Sequence, residues 1–134
     1  MKKYLLDTNI CIHFIKGQYN IREQILSSGI ENCFISEITI AELKYGIEKS
    51  MSEYKERNKT AVNNFINSFS IIPILSCLDV YATEKVRLEK SGLIIDDFDL
   101  LIGASAIAND MILITRNITH LERLENISLE NWID

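Results

Sequence analysis

The sequence predicts an α/β protein with a short, mostly parallel sheet of four to five strands flanked by helices. Three observations indicate this class. Brief apolar runs recur along the chain, longer segments with helical periodicity separate them, and turn residues such as Gly17, Gly29 and Gly92 mark the boundaries. Short strands that alternate with helices form parallel sheets. A length of 134 residues fits one domain, residues 1–134, with a core of its own.

The predicted strands are the apolar runs at 3–6, 33–35, 71–74 and 111–114, with a last strand in the tail at 127–133. Pro73 lacks a backbone donor, which places the third strand near an edge or near its own end.

The predicted helices cover about 9–16, 20–28, 36–49, 77–91, 96–109 and 117–124, and another amphipathic helix includes 62–69. Asp7 or Thr8 can cap the first helix, and Ser36 can cap the third. On the third helix we expect Ala41 and Tyr45 to lie near the buried side, which Ile38, Leu43 and Ile47 define.

The composition limits the classes of function. A net charge of −5 argues against a broad basic face for nucleic acid, although it leaves a nucleic-acid substrate open. Cys11, Cys33 and Cys77 have neither the number nor the spacing of a disulfide framework or a zinc site, so we expect reduced thiols in a cytoplasmic protein. No apolar run approaches the roughly 20 residues of a membrane span.

Three acids stand in apolar surroundings: Asp7 after the first strand, Glu42 inside the third helix and Asp99 at the start of an apolar helix. Burying a carboxylate is costly unless a partner neutralises it, so three such acids suggest one shared cation. Ligands of parallel sheets bind at the carboxyl ends of the strands, where Asp7 and the segment 115–117 both lie.

Oxygen ligands without His or Cys select Mg²⁺ or Mn²⁺, and acids around such an ion suit phosphoryl chemistry. Structural roles remain open for each acid. Asp7 can cap the first helix, Glu42 ends a capping-box pattern that begins at Thr39, and Asp96 and Asp97 suit the first turn of a helix.

The chain resembles VapC-type PIN-domain toxins in five ordered blocks that span essentially its whole length. The blocks are Tyr4-Leu5-Leu6-Asp7-Thr8-Asn9-Ile10, the segment 36–46 around Ala41-Glu42-Leu43, Ile95-Asp96-Asp97-Phe98-Asp99 with its apolar continuation to 104, Leu113-Ile114-Thr115-Arg116-Asn117, and Leu129-Glu130-Asn131-Trp132.

The resemblance implies a PIN-like three-layer sandwich and an endoribonuclease that uses Mg²⁺ or Mn²⁺ as the toxin of a type II toxin–antitoxin pair. The family's three metal-binding acids fall on Asp7, Glu42 and Asp99, and Asp96 adds a fourth catalytic candidate. The residues expected to support them are Thr8, Asn9, Thr115 and Asn117. The implied partners are a VapB-type antitoxin, an RNA with a single-stranded loop such as a tRNA, and a second copy of the chain, with a heterotetramer or larger assembly around the antitoxin.

One departure affects the mechanism, because many relatives carry a further acid where this chain has Asn117 and His120. The basic residues closest to the motifs, which are candidates for RNA contact, are Lys44, Arg87, Lys90 and Arg116.

Two alternative functions remain. A metal-dependent phosphatase of the haloacid dehalogenase type needs Asp-x-Asp, and Asn9 replaces the second Asp; a non-catalytic PIN-like binding module would lack one of the three acids.

Overall fold

Five strands form a single sheet in the order β3-β2-β1-β4-β5, and every neighbouring pair is parallel. The structure is a computed structural model and describes residues 1–134. The strands are β1 (Tyr4–Leu6), β2 (Cys33–Ser36), β3 (Ser70–Ile72), β4 (Ile112–Ile114) and β5 (Ser128–Glu130). The predicted α/β class and sheet are confirmed, and Pro73 follows directly after the edge strand β3.

Seven α-helices connect the strands and cover the sheet. They are α1 (Thr8–Lys16), α2 (Ile21–Ser28), α3 (Glu37–Lys49), α4 (Lys55–Asn67), α5 (Leu78–Lys90), α6 (Asp97–Ala108) and α7 (Ile118–Leu121). Two 3-10 turns, Ile30–Asn32 and Ile74–Cys77, precede β2 and α5. None of these helices combines the length and the apolar composition that crossing a membrane requires.

The sheet separates two apolar layers because successive strand residues point to opposite faces. Leu6 and Ile114 belong to the layer formed with α1 to α4, whereas Leu5 and Leu113 belong to the layer formed with α5 and α6. All four side chains are fully buried. The molecule is therefore the three-layer sandwich that the resemblance implied.

The chain reverses its direction of travel across the sheet between β1 and β4. From β1 it proceeds outward to β2 and β3, then returns through α5 and α6 to β4 on the other side of β1. Parallel sheets bind ligands at such a switch point. The backbone N–H of Asp7 donates to Ile114 O at 2.9 Å, so the first acid lies at this point.

The buried face of α3 differs in part from the prediction. On α3, Thr39, Leu43 and Ile47 recur every four residues and form the buried stripe, which leaves Ala41 exposed and Tyr45 64% exposed. The predicted core positions Ile38, Leu43 and Ile47 are buried, and only Ala41 and Tyr45 were expected on the wrong side.

Candidate active site

A cavity of about 730 Å³ opens at the carboxyl ends of β1 and β4. Polar side chains from four segments line it, namely Asp7, Thr8, Asn9, Glu42, Asp96, Asp99 and Asn117. The four predicted catalytic acids therefore come together in one space, although Asp7 and Asp99 are far apart in sequence. No Lys or Arg is among the lining residues.

Asp7 is fixed from both sides by the fold. Its Oδ1 accepts the backbone N–H of Thr8 at 2.8 Å and so caps α1, while Oδ2 accepts the Thr115 hydroxyl at 2.7 Å. Burial raises the pKa of this carboxyl, and the two hydrogen bonds oppose that rise. The capping role and a site role thus coexist in one side chain.

Glu42 reaches the cavity from the interior of α3, whose N-terminal cap is Ser36. The Thr8 hydroxyl donates to Glu42 Oε1 at 2.6 Å, and Thr8 Oγ1 lies 3.0 Å from Thr39 Oγ1. Burial raises the pKa of Glu42, and the charges of Asp7 and Asp96 add to the rise. The capping-box alternative for Glu42 is excluded, since the residue lies within the helix and bonds a side chain.

Asp96 and Asp99 enter the cavity from the start of α6. Asp96 is the N-cap, and its Oδ2 accepts the Phe98 N–H at 3.1 Å. The pKa of Asp99 is raised to about 6 by burial first, then by the charges of Asp7, Asp96 and Glu42, while His120 opposes the rise. The negative charges nearby thus make ionisation of Asp99 less favourable.

The neighbouring acid Asp97 has a different role. Its Oδ1 accepts the Lys85 ammonium at 2.7 Å and the Tyr81 hydroxyl at 2.8 Å, and it does not line the cavity. The hydrogen bond from Lys85 lowers the pKa of this carboxyl. Asp97 fastens the start of α6 to α5 outside the cavity, whereas Asp96 combines its helix-start role with a place in the lining.

The position that relatives fill with an acid is neutral but ordered. Asn117 lines the cavity, its N–H donates to Thr115 Oγ1 at 3.0 Å, and its Oδ1 lies 2.7 Å from His120 Nδ1. Thr115 does not line the cavity, and it acts on the site by linking Asp7 to the backbone of Asn117.

The residues present fit a hard divalent cation by chemistry. The donors are oxygen atoms, three of the carboxyls have raised pKa values, and no basic side chain neutralises them within the lining. The carboxylates come from three segments of the chain, however, and in this arrangement no group of three or more His, Cys, Asp or Glu is disposed to hold a metal ion.

The basic residues proposed for RNA do not reach the cavity. Arg87 donates to Glu84 at 2.9 and 3.0 Å and to Arg123 O, and Arg116 faces Asp134 at 3.3 Å. Neither they nor Lys44 and Lys90 line the cavity. Proximity to a motif in sequence was a poor guide, because these side chains point along other faces of their helices and loops.

Sequence reasoning missed the apolar part of the lining and one buried hydroxyl. The missed lining residues are Ile12, Ala41, Tyr45 and Phe98. Two signals were available, since Tyr45 follows Glu42 by three residues on one helix face and Phe98 stands between two acids. Thr39 is fully buried and contacts Thr8, a role that the capping-box pattern concealed.

Comparison with known proteins gives concordant results. Residues 4–126 match the PIN domain family. Ribonuclease VapC2 of Rickettsia felis is 39% identical over 96% of this chain and 97% of its own length. The tRNA(fMet)-specific endonuclease VapC of Salmonella typhimurium is 32% identical over 98% of this chain and 99% of its own. The crystal structure of DNA-bound VapBC from Salmonella typhimurium includes a chain that superposes with a TM-score of 0.90 at 31% identity, covering 98% of this chain and 99% of that one.

Proposed function

The chain belongs to the PIN-domain family, among the VapC-type ribonucleases, and we propose that its acidic cavity hydrolyses RNA phosphodiester bonds with a divalent cation. The observation that carries this proposal is the meeting of Asp7, Glu42, Asp96 and Asp99 in one cavity without a basic residue. Such a cavity repels a phosphate backbone unless a cation neutralises the acids. The full-length similarity to VapC ribonucleases supports the choice of RNA.

Asp7, Glu42 and Asp99 are the residues that would hold the cation, which we take to be Mg²⁺ or Mn²⁺. When bound, it supplies polarisation of the phosphate and activation of a water molecule. The protein prepares the carboxylates for this role. The Thr8 hydroxyl orients Glu42, and the Thr115 hydroxyl orients Asp7. Burial raises the pKa of Asp99 to about 6, and the charge of a bound cation would favour the ionised form of this carboxyl.

Asp96 and Asn117 complete the polar lining beside these three acids. Asp96 is tied to the start of α6 by its capping bond, so we assign it the orientation of water or substrate at the rim. The backbone N–H of Asn117 donates to Thr115, and its side-chain Oδ1 lies 2.7 Å from His120 Nδ1. The side-chain NH₂ can donate to a phosphate oxygen without adding negative charge.

We further propose that the protein is the toxin of a toxin–antitoxin pair in the cytoplasm. A solved relative that superposes along 98% of this chain belongs to a VapBC complex, which supports a VapB-type partner and larger assemblies with that partner. A relative named for tRNA(fMet) supports a tRNA with a single-stranded loop as substrate. Three free, buried cysteines suit a reducing compartment.

The test replaces each acid by its amide. Asp7→Asn, Glu42→Gln and Asp99→Asn should each lower RNA cleavage by at least about a hundredfold, because each removes a charged ligand from the cation. Cleavage of purified tRNA is measured with Mg²⁺, with Mn²⁺ and with EDTA, which should abolish it.

The matched control is Asp97→Asn, which changes the adjacent acid outside the cavity and should leave the cleavage rate within about threefold of wild type, since its ion pair is exposed. Full activity of Asp99→Asn, or activity that persists in EDTA, would refute the proposed mechanism.

A further inference from the structure

Two exposed aromatic rings stand in the wall of the acidic cavity. Tyr45 is 64% exposed and Phe98 is 45% exposed, and both belong to the lining. The other apolar residues of the cavity lining are Ile12 and Ala41. Exposed apolar surface beside a polar site marks a place where something binds.

The fold fixes each ring next to a catalytic acid. Tyr45 lies three residues after Glu42 on α3, so the two side chains are neighbours on one helix face. Phe98 directly precedes Asp99 on α6, and its backbone N–H is held by Asp96 Oδ2 at 3.1 Å. Because α3 and α6 come from different layers of the sandwich, the rings stand on different walls of the cavity.

Neither ring belongs to an aromatic pair. The aromatic pairs of the molecule join other side chains, such as Phe14 with Phe65 and Tyr4 with Trp132. Tyr45 has one close charged neighbour, the Lys49 ammonium at 5.3 Å from the ring centroid. Both rings thus keep exposed surface for a ligand, and the Lys49 ammonium lies over the ring of Tyr45.

The cavity must hold its substrate without basic side chains, because no Lys or Arg lines it. Stacking of bases on aromatic rings is an alternative source of affinity that needs no positive charge and no particular base. An RNA base offers its face to a protein ring only where it is unpaired and unstacked.

We propose that Tyr45 and Phe98 are stacking surfaces for unpaired bases on the two sides of the phosphodiester that is cut. This inference rests on the ribonuclease function proposed above and adds the residues that choose single-stranded RNA. The occupant is RNA rather than a partner protein because the rings and the acids line the same cavity, through which a strand that presents its phosphate to the acids must pass.

The experiment compares ring removal with ring retention. Tyr45→Leu and Phe98→Leu keep apolar bulk and lose the flat ring, whereas Tyr45→Phe and Phe98→Tyr keep it. Tyr54→Leu is the matched control, since Tyr54 is 40% exposed and lies outside the cavity. The probe is a short, unstructured RNA oligonucleotide of mixed sequence, cleaved in Mn²⁺.

Each Leu variant should raise KM about tenfold, a loss that corresponds to about 1.4 kcal/mol, with kcat within about twofold of wild type. The ring-retaining variants and Tyr54→Leu should match wild type. Abasic nucleotides are placed one at a time beside the cut, and the KM of wild type should rise about tenfold at one such position for each ring. For the Leu variant of that ring, the same abasic position should raise KM little further, because the missing base and the missing ring belong to one interaction.

A second measurement does not depend on turnover. Binding of the same oligonucleotide is measured by fluorescence anisotropy in the Asp99→Asn background, where adding Tyr45→Leu or Phe98→Leu should weaken binding about tenfold. Unchanged KM and unchanged binding in both Leu variants would overturn the stacking role. Loss of binding to a co-expressed partner protein with unchanged RNA binding would also overturn it, by assigning the rings to a protein interface.

The two failures can be told apart. If Asp99→Asn is inactive while both Leu variants behave as wild type, the ribonuclease function stands and the stacking role falls. If Asp99→Asn cleaves as well as wild type, the cavity is not the reaction site, and both proposals fall together.

Discussion

Thr8 has one hydroxyl proton, and two oxygen atoms lie within its reach. Its Oγ1 is 2.6 Å from Glu42 Oε1 and 3.0 Å from Thr39 Oγ1. Since an ionised carboxylate can only accept, Thr8 donates to Glu42, and Thr39 must be the donor to Thr8. Thr39, which is buried and does not line the cavity, therefore sets the direction of a hydrogen-bond chain that ends on Glu42, a proposed cation ligand.

Replacing Thr39 by Val should lower the single-turnover cleavage rate about tenfold, because the shape is kept and the donor to Thr8 is lost. Thr39→Ser restores the hydroxyl and should recover most of the rate. Urea unfolding of both variants separates the effect on the site from an effect on stability, which we expect to be about 1 kcal/mol for Val. A Val variant that cleaves at the wild-type rate would show that the chain of hydroxyls is not needed.

Helix α3, which carries Glu42 and Tyr45, depends on one N-terminal cap at the carboxyl end of β2. Ser36 ends β2 and begins α3, its side chain is fully buried, and its Oγ accepts the Ile38 N–H at 3.0 Å. Ser36→Ala should lower the free energy of unfolding by about 1–2 kcal/mol, since the orphaned N–H has no access to water.

Chemical denaturation measures this loss, with Ser52→Ala as the control at an exposed serine in the turn before α4. The cleavage rate of the folded Ser36→Ala protein tests whether α3 keeps its place, and we expect a reduction of less than about threefold because helix packing remains. Equal stability of the two variants would mean that water or another acceptor takes the Ile38 N–H in place of the Ser36 hydroxyl.

Elements were more predictable than the faces they bury. The strands and helices were found near their observed bounds because apolar runs, Gly17 and the Ser36 cap give local signals. On α5 apolar character does not mark the buried face, since Leu88 is 2% exposed and Val86 is 50% exposed. Its buried stripe includes Glu84, whose charge is matched by Arg87 at 2.9 Å and by the Glu125 N–H at 2.7 Å. The burial of Glu84 depends partly on a backbone donor 41 positions away, so local hydrophobicity cannot predict it.

The site divides in the same way. The acids were predictable because a carboxylate in an apolar run is conspicuous and because parallel strands gather their carboxyl ends. Asp97 could not be separated from Asp96 and Asp99 by sequence, since only the fold shows Lys85 and Tyr81 across from it. The absence of basic residues from the cavity also depends on side-chain directions that spacing does not fix.

At the scale of the whole molecule, the acidic cavity opposes folding at neutral pH. The Asp99 pKa rises from 3.8 to about 6 on folding, so between these values the folded chain holds more protons than the unfolded one. The free energy of unfolding therefore falls as pH rises through that window. The pKa values of Asp7 and Glu42 shift in the same direction.

Asp99→Asn should therefore stabilise the protein in EDTA at pH 7 by about 1–2 kcal/mol, a value reduced from the full shift because the carboxyl is partly solvated. Near pH 4 the gain should vanish. Adding Mn²⁺ should raise the melting temperature of wild type and have little effect on the variant, because binding to the native state alone stabilises it. Thermal unfolding in EDTA and in Mn²⁺ checks both effects.

The control again is Asp97→Asn, whose pKa shift has the opposite sign, so this variant should not be stabilised at pH 7. If Asp99→Asn is no more stable than wild type at pH 7 in EDTA, the acids do not repel one another as their surroundings indicate.

The hydrogen bond between Thr115 and Asp7 joins groups 108 positions apart and has a consequence for the timing of synthesis. A ribosome that adds 5–20 residues per second needs about 5–20 s to pass from one residue to the other. Until then β1 lacks its neighbour β4, and Asp7 lacks the second of its two donors. The nascent chain therefore exists for seconds with its first acids made and its cavity incomplete. An enzyme that destroys RNA gains from this order, because it becomes complete only when most of its own message has been read.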